Sequence, residues 1–394
     1  MTESINLSTE TPGQEPLAGL RVLEFGHYGA APLAAMMLAD MGADVIKVES
    51  PGGDVYRGHP PFQDGESHYF MAINRNKRSV KLDLKDPRDV ERFKQLAAQC
   101  DVLIENMRPG VMARLGLAPE LLQAANPRLI FCSVSGYGQT GPLSHEGSHD
   151  LVIQALTGMM DSSGEAGRDP IKLIPAVPDV LTAYNAAFNI MTAVHARNAG
   201  RPAGRVDVSL FDSSLYSMSL IYLAQVFGGR ASPERMGSGH PQIVPLRAYA
   251  DCNGKSLVTG ASDPRMWQAL CTALEMPELA TDPRFVDAAA RRTHRDALDA
   301  ILEKRLAERS RDVWLAALIG AGVPSGPVNS LSDAIASPQA LARGMRRSVD
   351  HPRLGPIHAI GLPAHHTPNG GSLRRVAPLL GEHNDEVFKE FGIE

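Results

Sequence analysis

Cysteine is scarce in this sequence and shows no metal-binding or redox pattern. The 394 residues contain four cysteines, which lie far apart at Cys100, Cys132, Cys252 and Cys271. No CxxC pair and no Cys/His spacing typical of a zinc site is present. The pattern therefore favours buried, reduced thiols in a cytosolic protein and predicts no metal site.

Long apolar runs and an excess of positive charge are also missing. The longest apolar run, residues 30–39, is too short to span a bilayer and is followed by Asp40. The N-terminal residues 1–16 are polar and include acids, so they resemble neither a signal peptide nor a transit peptide. The net charge of −5 gives no general reason to expect nucleic acid or an anionic membrane as a partner. We therefore expect a cytoplasmic protein.

The familiar phosphate-binding and hydrolase motifs are absent. The first predicted strand-to-helix turn is Gly26-His-Tyr-Gly29-Ala-Ala-Pro32, which has GxxG spacing in place of GxGxxG and no Walker lysine. Unpaired N–H groups at the start of the next helix could still bind a nucleotide, but a tight turn for packing is an equal alternative. Ser135-Gly-Tyr-Gly138 lacks the GxSxG pattern, which argues against a hydrolase triad.

What the sequence does contain is an alternation of strand and helix patterns. Its length allows two domains with a substantial core. Strands are predicted at residues 20–25, 43–49, 79–84, 101–105, 128–134 and 205–210, and helices at 33–41, 86–99, 180–198 and 211–227. Strands separated by helices of this length predict an α/β fold with a doubly wound parallel sheet.

A break in this pattern at residues 228–233 predicts a domain boundary. The following residues combine short strands, at 246–251 and 256–260, with a charged helix at 288–308, which indicates a smaller α+β domain. The tail contains strand patterns between residues 351 and 363 and a helix at 384–391.

The main candidates for chemistry are Asp179 and the pair His149-Asp150, which begins thirty positions earlier. Asp179 follows a proline-flanked apolar stretch and precedes a long helix, where it could simply be an N-cap. A helix N-terminus also keeps a carboxylate ionised, and an ionised carboxylate could attack a thioester to form a mixed anhydride. The earlier position is His149-Asp150, where a single histidine is either a satisfied structural residue or a general base.

Basic residues near the predicted strands could bind a phosphorylated ligand. Asn74-Arg-Asn-Lys77-Arg78 holds three cations in five residues, and Arg108 and Arg114 add positive charge. At the carboxyl ends of parallel strands such residues would suit a multiply phosphorylated ligand. A solvated charged face is the plainer alternative.

Several segments match one family in the same order along the chain. They are residues 38–49, 74–79, 104–110, 135–142, 322–328 and 377–383, for example Asn74-Arg-Asn-Lys-Arg-Ser79 and Ala377-Pro-Leu-Leu-Gly-Glu-His383. With these motifs the sequence resembles class III CoA-transferases of the formyl-CoA transferase type. That family also contains carnitine CoA-transferases and α-methylacyl-CoA racemases.

This resemblance implies a fold, an assembly and a reaction. It implies a large Rossmann-like CoA-binding domain of residues 1–228 and 331–394, a small domain at 229–330, and an interlocked homodimer. It places the catalytic aspartate at Asp179, which would form an aspartyl anhydride and then an aspartyl-CoA thioester. Acyl-CoA is a substrate in this scheme, and no permanently bound cofactor is expected.

The resemblance also maps ligand-binding residues onto the chain. The coenzyme A site would be formed by His27, Tyr28, Ala30, Lys47, Lys77, Asn106, Arg108 and Arg114. A glycine-containing loop that shields the reactive intermediate from water would be formed by Gly237, Gly239 and His240. Arg247 and His240 are candidates for holding the far carboxylate of a dicarboxylic acid, with surface charge as the alternative.

Three departures from the family pattern bear on which reaction is catalysed. Gly29 replaces the glutamine of formyl-CoA transferases, which argues against formate/oxalate chemistry. The pair His149-Asp150 matches the racemase branch, in which His149 and Asp179 would exchange an α-proton as an acid/base pair. Residues 180–184 nevertheless lack the glycine-rich run of racemases, and residues 239–245 are transferase-like.

We therefore predict a CoA-transferase that moves CoA from an acyl-CoA donor, such as succinyl-CoA, to a small or medium carboxylic acid. Racemisation of a 2-methylacyl-CoA is the alternative, with His149, Asp150 and Asp179 as the catalytic residues in either case. A non-catalytic role in binding acyl-CoA is the third possibility.

Overall fold

A computed structural model describes residues 15–229, 235–367 and 369–394. Most of the polar N-terminal stretch and most of the boundary segment at 228–233 lie outside these ranges. The chain forms two compact units. The large unit contains the residues up to Met159, Leu173–Leu220 and Pro338–Glu394, and the small unit contains Met160–Lys172 and Ile221–Ser337.

The strands, in chain order, are β1 (Arg21–Phe25), β2 (Asp44–Glu49), β3 (Phe62–Gln63), β4 (Glu66–Ser67), β5 (Lys77–Lys81), β6 (Val102–Glu105), β7 (Ile130–Ser135), β8 (Arg205–Ser209), β9 (Leu246–Ala250), β10 (Ser256–Gly260), β11 (Ser325–Pro327), β12 (Arg346–His351) and β13 (Gly355–Ile360). The helices are α1 (Ala30–Asp40), α2 (His68–Ile73), α3 (Pro87–Ala98), α4 (Val111–Arg114), α5 (Pro119–Ala125), α6 (Asp150–Leu156), α7 (Val177–Asn198), α8 (Leu210–Ser217), α9 (Ser219–Ile221), α10 (Pro264–Ala273), α11 (Ala288–Thr293), α12 (Arg295–Leu306), α13 (Arg311–Gly320), α14 (Leu331–Ala336), α15 (Pro338–Ala342) and α16 (Asn384–Phe391).

Six parallel strands form the central sheet of the large unit, in the order β5-β2-β1-β6-β7-β8. This confirms the predicted α/β fold with a parallel sheet, and the order is that of a Rossmann domain. The strand order reverses between β1 and β6. In open α/β sheets, ligands bind beyond the carboxyl ends of the strands at such a point.

Helices cover both faces of this sheet, which explains why its strands are apolar along most of their length. On one face α1 packs against α7, and small residues such as Ala34 and Ala186 allow the two helices to lie close together. On the other face Phe93 of α3 and Val387 of α16 are fully buried. The C-terminal helix is thereby part of the same core as the first strands.

The structure differs from the predicted elements at several places. The helix predicted at 288–308 is two helices, because Asp287 caps α11 and His294 leaves helical geometry before α12 begins. The helix predicted at 211–227 ends at Ser217 and is followed by α9 and a π-helical turn. The third strand begins at Lys77 rather than at residue 79, so part of the basic cluster lies at the amino end of β5 and not at a carboxyl end.

The small unit contains the antiparallel sheet β11-β10-β9 with helices packed around its own core. Trp267 of α10 and Trp314 of α13 are almost completely buried in that core. Across the described residues of both units, none of the helices combines the length and apolar character needed to cross a bilayer.

Candidate active site

The loop between β1 and α1 has a backbone that few residue types can adopt. A Cβ atom on Gly26 would lie 3.1 Å from the Cβ of Ala31. Tyr28 has a φ of 61°, a left-handed conformation that strains a residue with a side chain and that is common at functional sites. Gly29 then occupies the N-cap position of α1, which has no side-chain capping hydrogen bond. The GxxG spacing thus builds a constrained loop where the strand order reverses.

Asp179 lies directly against this loop. A Cβ atom on Gly29 would approach the Cγ and Oδ2 atoms of Asp179 to 2.8 Å, closer than real contacts of this kind. Helix α7 begins at Val177 after Ala176, so Asp179 lies in the first turn and makes no capping hydrogen bond. The interpretation of Asp179 as a simple N-cap is therefore wrong, because its carboxylate faces Gly29 instead.

Burial, and next the carboxylate of Asp150, raise the pKa of Asp179 to about 6. Loss of water and a nearby like charge both favour the neutral acid. A helix N-terminus by itself would lower the pKa of this carboxyl group, but burial and Asp150 outweigh that effect. At pH 7, which is above this raised pKa, the ionised form of Asp179 still outnumbers the protonated form by about 10 to 1.

His149 is exposed immediately before α6, in which Asp150 is the first residue. Its ring centroid lies 6.4 Å from that of Tyr28, which stands 5.6 Å from Tyr56. These rings belong to an aromatic cluster formed by Tyr28, Tyr56, His59, Tyr69 and His149. Burial, and next the charge of Asp179, raise the pKa of Tyr56 to about 12, so the cluster adjoins the carboxylate.

The sequence patterns did not identify three members of this aromatic cluster, which are Tyr56, His59 and Tyr69. They lie between the predicted second and third strands, where no strand or helix pattern draws attention. The density of aromatic residues in this short segment, in a chain with only 5% aromatic residues, is the signal that could have found them.

Lys47 and Lys77 lie beneath the first loop in a buried ion network. Both ammonium groups contact Glu24, at 2.7 and 2.8 Å, and none of the three side chains is exposed. Lys47 also binds Asp54 and the carbonyl of Gly26, each at 2.8 Å.

Lys77 is satisfied in the same way, because its ammonium group also binds the carbonyl of Pro32 and the side chain of Asn74. Each lysine therefore gives its three hydrogens to protein acceptors and has none left for a phosphate. In this structure Lys47 and Lys77 support the first loop rather than present a charge to a ligand. A direct contact with coenzyme A would require the network to open.

The remaining cations of residues 74–78 are also paired inside the large unit. Arg75 forms an ion pair with Asp40 at 2.7 Å, and Arg78 pairs with Asp44, Glu386 and Glu390. Both arginines are buried. The basic run is therefore neither a solvated face nor a phosphate-binding surface, since it links β5 to α1, β2 and α16.

The loop after β6 meets the first loop across the point of strand reversal. Asn106 accepts a hydrogen bond from the His27 N–H at 2.9 Å and donates to the His27 carbonyl at 2.7 Å. Burial lowers the pKa of the His27 imidazole, and its Nδ1 atom lacks a hydrogen-bond partner within the described chain. Asn106 thus fixes the main chain that leads to Tyr28 and Ala30.

Arg108 and Arg114 follow on the same loop and on the short helix α4. Both are exposed, and within residues 15–229, 235–367 and 369–394 neither has an ion-pair partner. The Arg108 guanidinium lies close to Gly147, where a Cβ atom would be 2.8 Å away. Of the predicted ligand-binding cations, these two are the ones with donors available.

The predicted glycine-containing loop lies in the small unit and has a fixed shape. Gly237 has a φ of 57°, and its N–H donates to the carbonyl of Gly164 at 2.8 Å. Nδ1 of His240 accepts hydrogen bonds from the N–H groups of residues 242 and 243. Arg295 donates to the carbonyl of His240 just after Gly239. The loop is therefore anchored on both sides of His240.

Arg247 does not have the free charge that the dicarboxylate hypothesis requires. Its guanidinium forms ion pairs with Asp299 at 3.0 Å and with Glu303 at 3.4 Å. These carboxylates already neutralise it, so we assign Arg247 a structural role in the small unit.

Possible metal ligands in the described parts of the chain are dispersed. No group of three or more His, Cys, Asp or Glu side chains is arranged there to hold a metal ion. Three of the cysteines are buried as expected, whereas Cys252 is exposed.

The family of the chain follows from its similarity to known proteins. The profile of CoA-transferase family III matches residues 17–384. Succinyl-CoA:glutarate CoA-transferase of Mus musculus is 36% identical over 384 residues, covering 97% of this chain and 88% of that protein. Acetyl-CoA:oxalate CoA-transferase of Acetobacter aceti is 36% identical over 395 residues, covering 99% of this chain and 98% of that protein.

A solved structure agrees with this result. The crystal structure of a CAIB/BAIF family protein from Brucella suis matches with a TM-score of 0.84 at 36% identity, covering 96% of this chain and 99% of that one. The protein is therefore an enzyme that belongs to CoA-transferase family III.

Proposed function

We propose that this enzyme transfers CoA from succinyl-CoA to a small dicarboxylic acid, with Asp179 as the nucleophile. The observation that supports this most directly is the contact of the Asp179 carboxylate with Gly29, at the point where the strand order reverses. A thioester lying on the first loop would meet that carboxylate. The similar proteins described above are named for succinyl-CoA, glutarate and oxalate, which makes dicarboxylic acids the first acceptors to test.

The proposed reaction begins when an Asp179 oxygen attacks the thioester carbonyl. The C–S bond breaks, CoA leaves as the thiolate, and an aspartyl–succinyl anhydride remains. The thiolate then attacks the aspartyl carbonyl, which releases succinate and forms an aspartyl-CoA thioester. The acceptor carboxylate attacks that thioester, its C–S bond breaks, and CoA thiolate leaves an aspartyl–acceptor anhydride. The thiolate then attacks the acceptor carbonyl of this anhydride, which gives the new acyl-CoA and releases the Asp179 carboxylate. Bonds of similar energy are exchanged at each step, so the scheme requires no ATP.

We propose that the loop of Gly237, Gly239 and His240 keeps water from these anhydrides. An anhydride hydrolyses readily, so transfer requires a site that excludes water while the intermediate exists. Arg295 and the carbonyl of Gly164 anchor this loop within the small unit, so it has a defined shape of its own.

We propose that coenzyme A lies along the first loop and the loop after β6. Tyr28 and Ala30 would contact it through the start of α1, where main-chain N–H groups attract phosphate. Arg108 and Arg114 would bind its phosphates, because their guanidinium groups are exposed and not neutralised by described acids. His27 would complete this surface, held in place by Asn106.

Racemisation is not favoured, because the similar proteins named above are CoA-transferases. We instead propose that His149 contacts the acyl group together with the aromatic cluster. Replacing His149 with alanine should then reduce transfer less than replacing Asp179 does.

We further propose that the enzyme is an interlocked homodimer in the cytoplasm, with residues 1–228 and 331–394 as its coenzyme-binding domain. Large apolar side chains of the large unit support an interface, since Phe188 is 70% exposed and Tyr216 is 83% exposed. Soluble monomers rarely expose several such side chains together.

The proposal is tested by incubating the enzyme with succinyl-CoA and a panel of acids that includes glutarate and oxalate. New acyl-CoA species are measured by liquid chromatography and mass spectrometry, and hydroxylamine or borohydride added during turnover should mark Asp179. Asp179→Ala should abolish both signals. Asp212→Ala is a matched control, because Asp212 also lies in the first turn of a helix of the large unit.

Two results would contradict the proposal. One is transfer that survives in Asp179→Ala. The other is exchange of the α-proton of a 2-methylacyl-CoA with D₂O in the absence of any new thioester, which would make the enzyme a racemase.

A further inference from the structure

Gln154 is a completely buried residue of α6 that binds both segments carrying the acids of the site. Its Nε2 atom donates to Oδ2 of Asp150 at 2.6 Å, one turn earlier in the same helix. Its Oε1 atom accepts from the N–H of Leu173 at 2.9 Å, and Nε2 also lies 3.2 Å from the Leu173 carbonyl oxygen. One side-chain amide thus connects the first residue of α6 to a separate stretch of main chain.

That stretch of main chain leads directly to Asp179. The chain re-enters the large unit at Leu173 and reaches Asp179 six residues later. Between them, Ile174 is 86% exposed, so its side chain does little to hold the segment. The two contacts from Gln154 therefore fix the segment at the end farther from α7.

Gln154 also acts on the charge near Asp179. A hydrogen bond donated to a carboxylate stabilises its ionised form. Asp150 in its ionised form is the second cause, after burial, of the raised pKa of Asp179. The same amide therefore influences both where Asp179 lies and how readily it ionises.

We propose that Gln154 is a positioning residue for CoA transfer, which holds the Asp150 side chain and fixes the segment that places the Asp179 carboxylate against Gly29. This inference rests on the proposed role of Asp179 as the nucleophile. If Gln154 only filled space, an apolar residue of similar size would replace it equally well. Its hydrogen bonds would then serve only to offset the free-energy cost of burying an amide. An apolar substitution of the same size therefore distinguishes the two roles, because it lowers kcat only if Gln154 is a positioning residue.

Gln154→Leu removes the amide at nearly constant volume. We expect kcat to fall about 10- to 100-fold, because a small displacement of a reacting group is costly to the rate, while KM for succinyl-CoA changes less than about threefold. The rate at which hydroxylamine traps acylated Asp179 should fall by the same factor as kcat. Gln123→Leu is the matched control, because Gln123 also binds main-chain carbonyls, those of Leu129 and Gly204, but at the amino ends of β7 and β8.

Gln154→Glu gives a second readout that a structural role would not produce. When protonated, the new carboxyl group can accept from the Leu173 N–H and donate to Asp150, as the amide does. When ionised, it faces the Asp150 carboxylate, and the like charges separate the two side chains. We expect a bell-shaped pH profile of kcat in this variant, with a decline at alkaline pH that the wild-type enzyme does not show.

The outcomes distinguish this inference from the proposed function. If the wild-type enzyme yields no adduct on Asp179, the proposed function fails and the inference fails with it. If wild type yields the adduct and folded Gln154→Leu yields it at the same rate, only the positioning role is wrong. If Gln154→Leu does not fold, a pH profile of Gln154→Glu parallel to that of wild type would overturn the inference, and a bell-shaped profile would support it.

Discussion

Among single residues, Asp179 is the one whose ionisation should control the pH dependence of transfer. Its pKa is raised to about 6, chiefly by burial and then by Asp150, and only the ionised form can act as a nucleophile. We therefore expect kcat/KM to rise with pH through about 6 and to fall about tenfold for each unit below it. The profile is measured with succinyl-CoA at fixed ionic strength between pH 4.5 and 8.5.

The stability of the fold should change with pH in the opposite direction. A raised pKa means that the folded protein prefers protonated Asp179, so ionisation costs stability progressively between the unfolded pKa of about 4 and the folded pKa of about 6. Asp179→Asn should therefore melt at a higher temperature than wild type at pH 7 and show little difference at pH 4. A flat activity profile across pH 6, or an Asp179→Asn variant less stable at pH 7, would contradict this assignment.

Gly29 should be required because Asp179 occupies the space that a side chain would need. The Cβ atom of Gly29→Ala would lie 2.8 Å from the Asp179 carboxylate, which must move away. We expect kcat to fall about 100-fold with little change in the melting temperature, because the carboxylate moves while the core is untouched. Steady-state kinetics and differential scanning fluorimetry measure the two effects.

Gly204→Ala provides the control for the substitution itself. No heavy atom lies within 4 Å of a Cβ built on Gly204, which precedes β8. Normal transfer by Gly29→Ala would mean that Asp179 is free to move without loss of rate, and the proposed contact would then have no role in catalysis.

At the scale of secondary-structure elements, the buried ion network joins β1, β2 and β5 beneath the first loop. Burial by itself lowers the pKa of a lysine, but Glu24 and Asp54 outweigh it and raise the pKa of Lys47. For Lys77, burial dominates over Glu24 and lowers the pKa to about 8. Lys47 is therefore the member whose charge balances the acids most firmly.

Lys47→Met should be strongly destabilising, because it leaves Glu24 and Asp54 buried without their main counter-ion. Removing one partner of a buried pair typically costs about 3–5 kcal/mol, which should appear as a lower urea midpoint of unfolding. Arg88→Met is the control, since Arg88 pairs with Asp86 at the surface with 84% of its side chain exposed. Equal midpoints for the two variants would mean that the network does not stabilise the sheet.

Local sequence patterns predicted the parallel sheet, and the family resemblance singled out Asp179 as the candidate nucleophile, but neither predicted the network. The strands of the sheet are short apolar runs between turn residues, so each can be recognised within its own segment. The pairing of Glu24 with Lys47 depends on the register of β1 against β2, in which the two residues are direct partners. The pairing of Arg78 with Glu390 joins residues more than 300 positions apart. The sequence alone therefore left open a ligand-binding surface or a solvated face for the basic cluster, and neither includes these internal ion pairs.

For the whole molecule, the proposed interlocked homodimer predicts behaviour that a simple dimer would not show. The chain has a mass of 42.3 kDa, so we expect a species of twice that mass in sedimentation at all concentrations tested. Threaded subunits cannot separate unless part of the fold opens, so exchange should be limited by unfolding rather than by dissociation. The exposed Phe188 and Tyr216 of the large unit would then be covered permanently.

Subunit exchange measures this directly. Tagged and untagged homodimers are mixed in native buffer, and hybrids are counted by native mass spectrometry over several days. We expect no hybrids until the mixture is unfolded in urea and refolded, after which hybrids should make up about half of the dimers, as random pairing requires. Rapid formation of hybrids would indicate a dimer that is not interlocked, and a monomer at micromolar concentration would exclude the dimer itself.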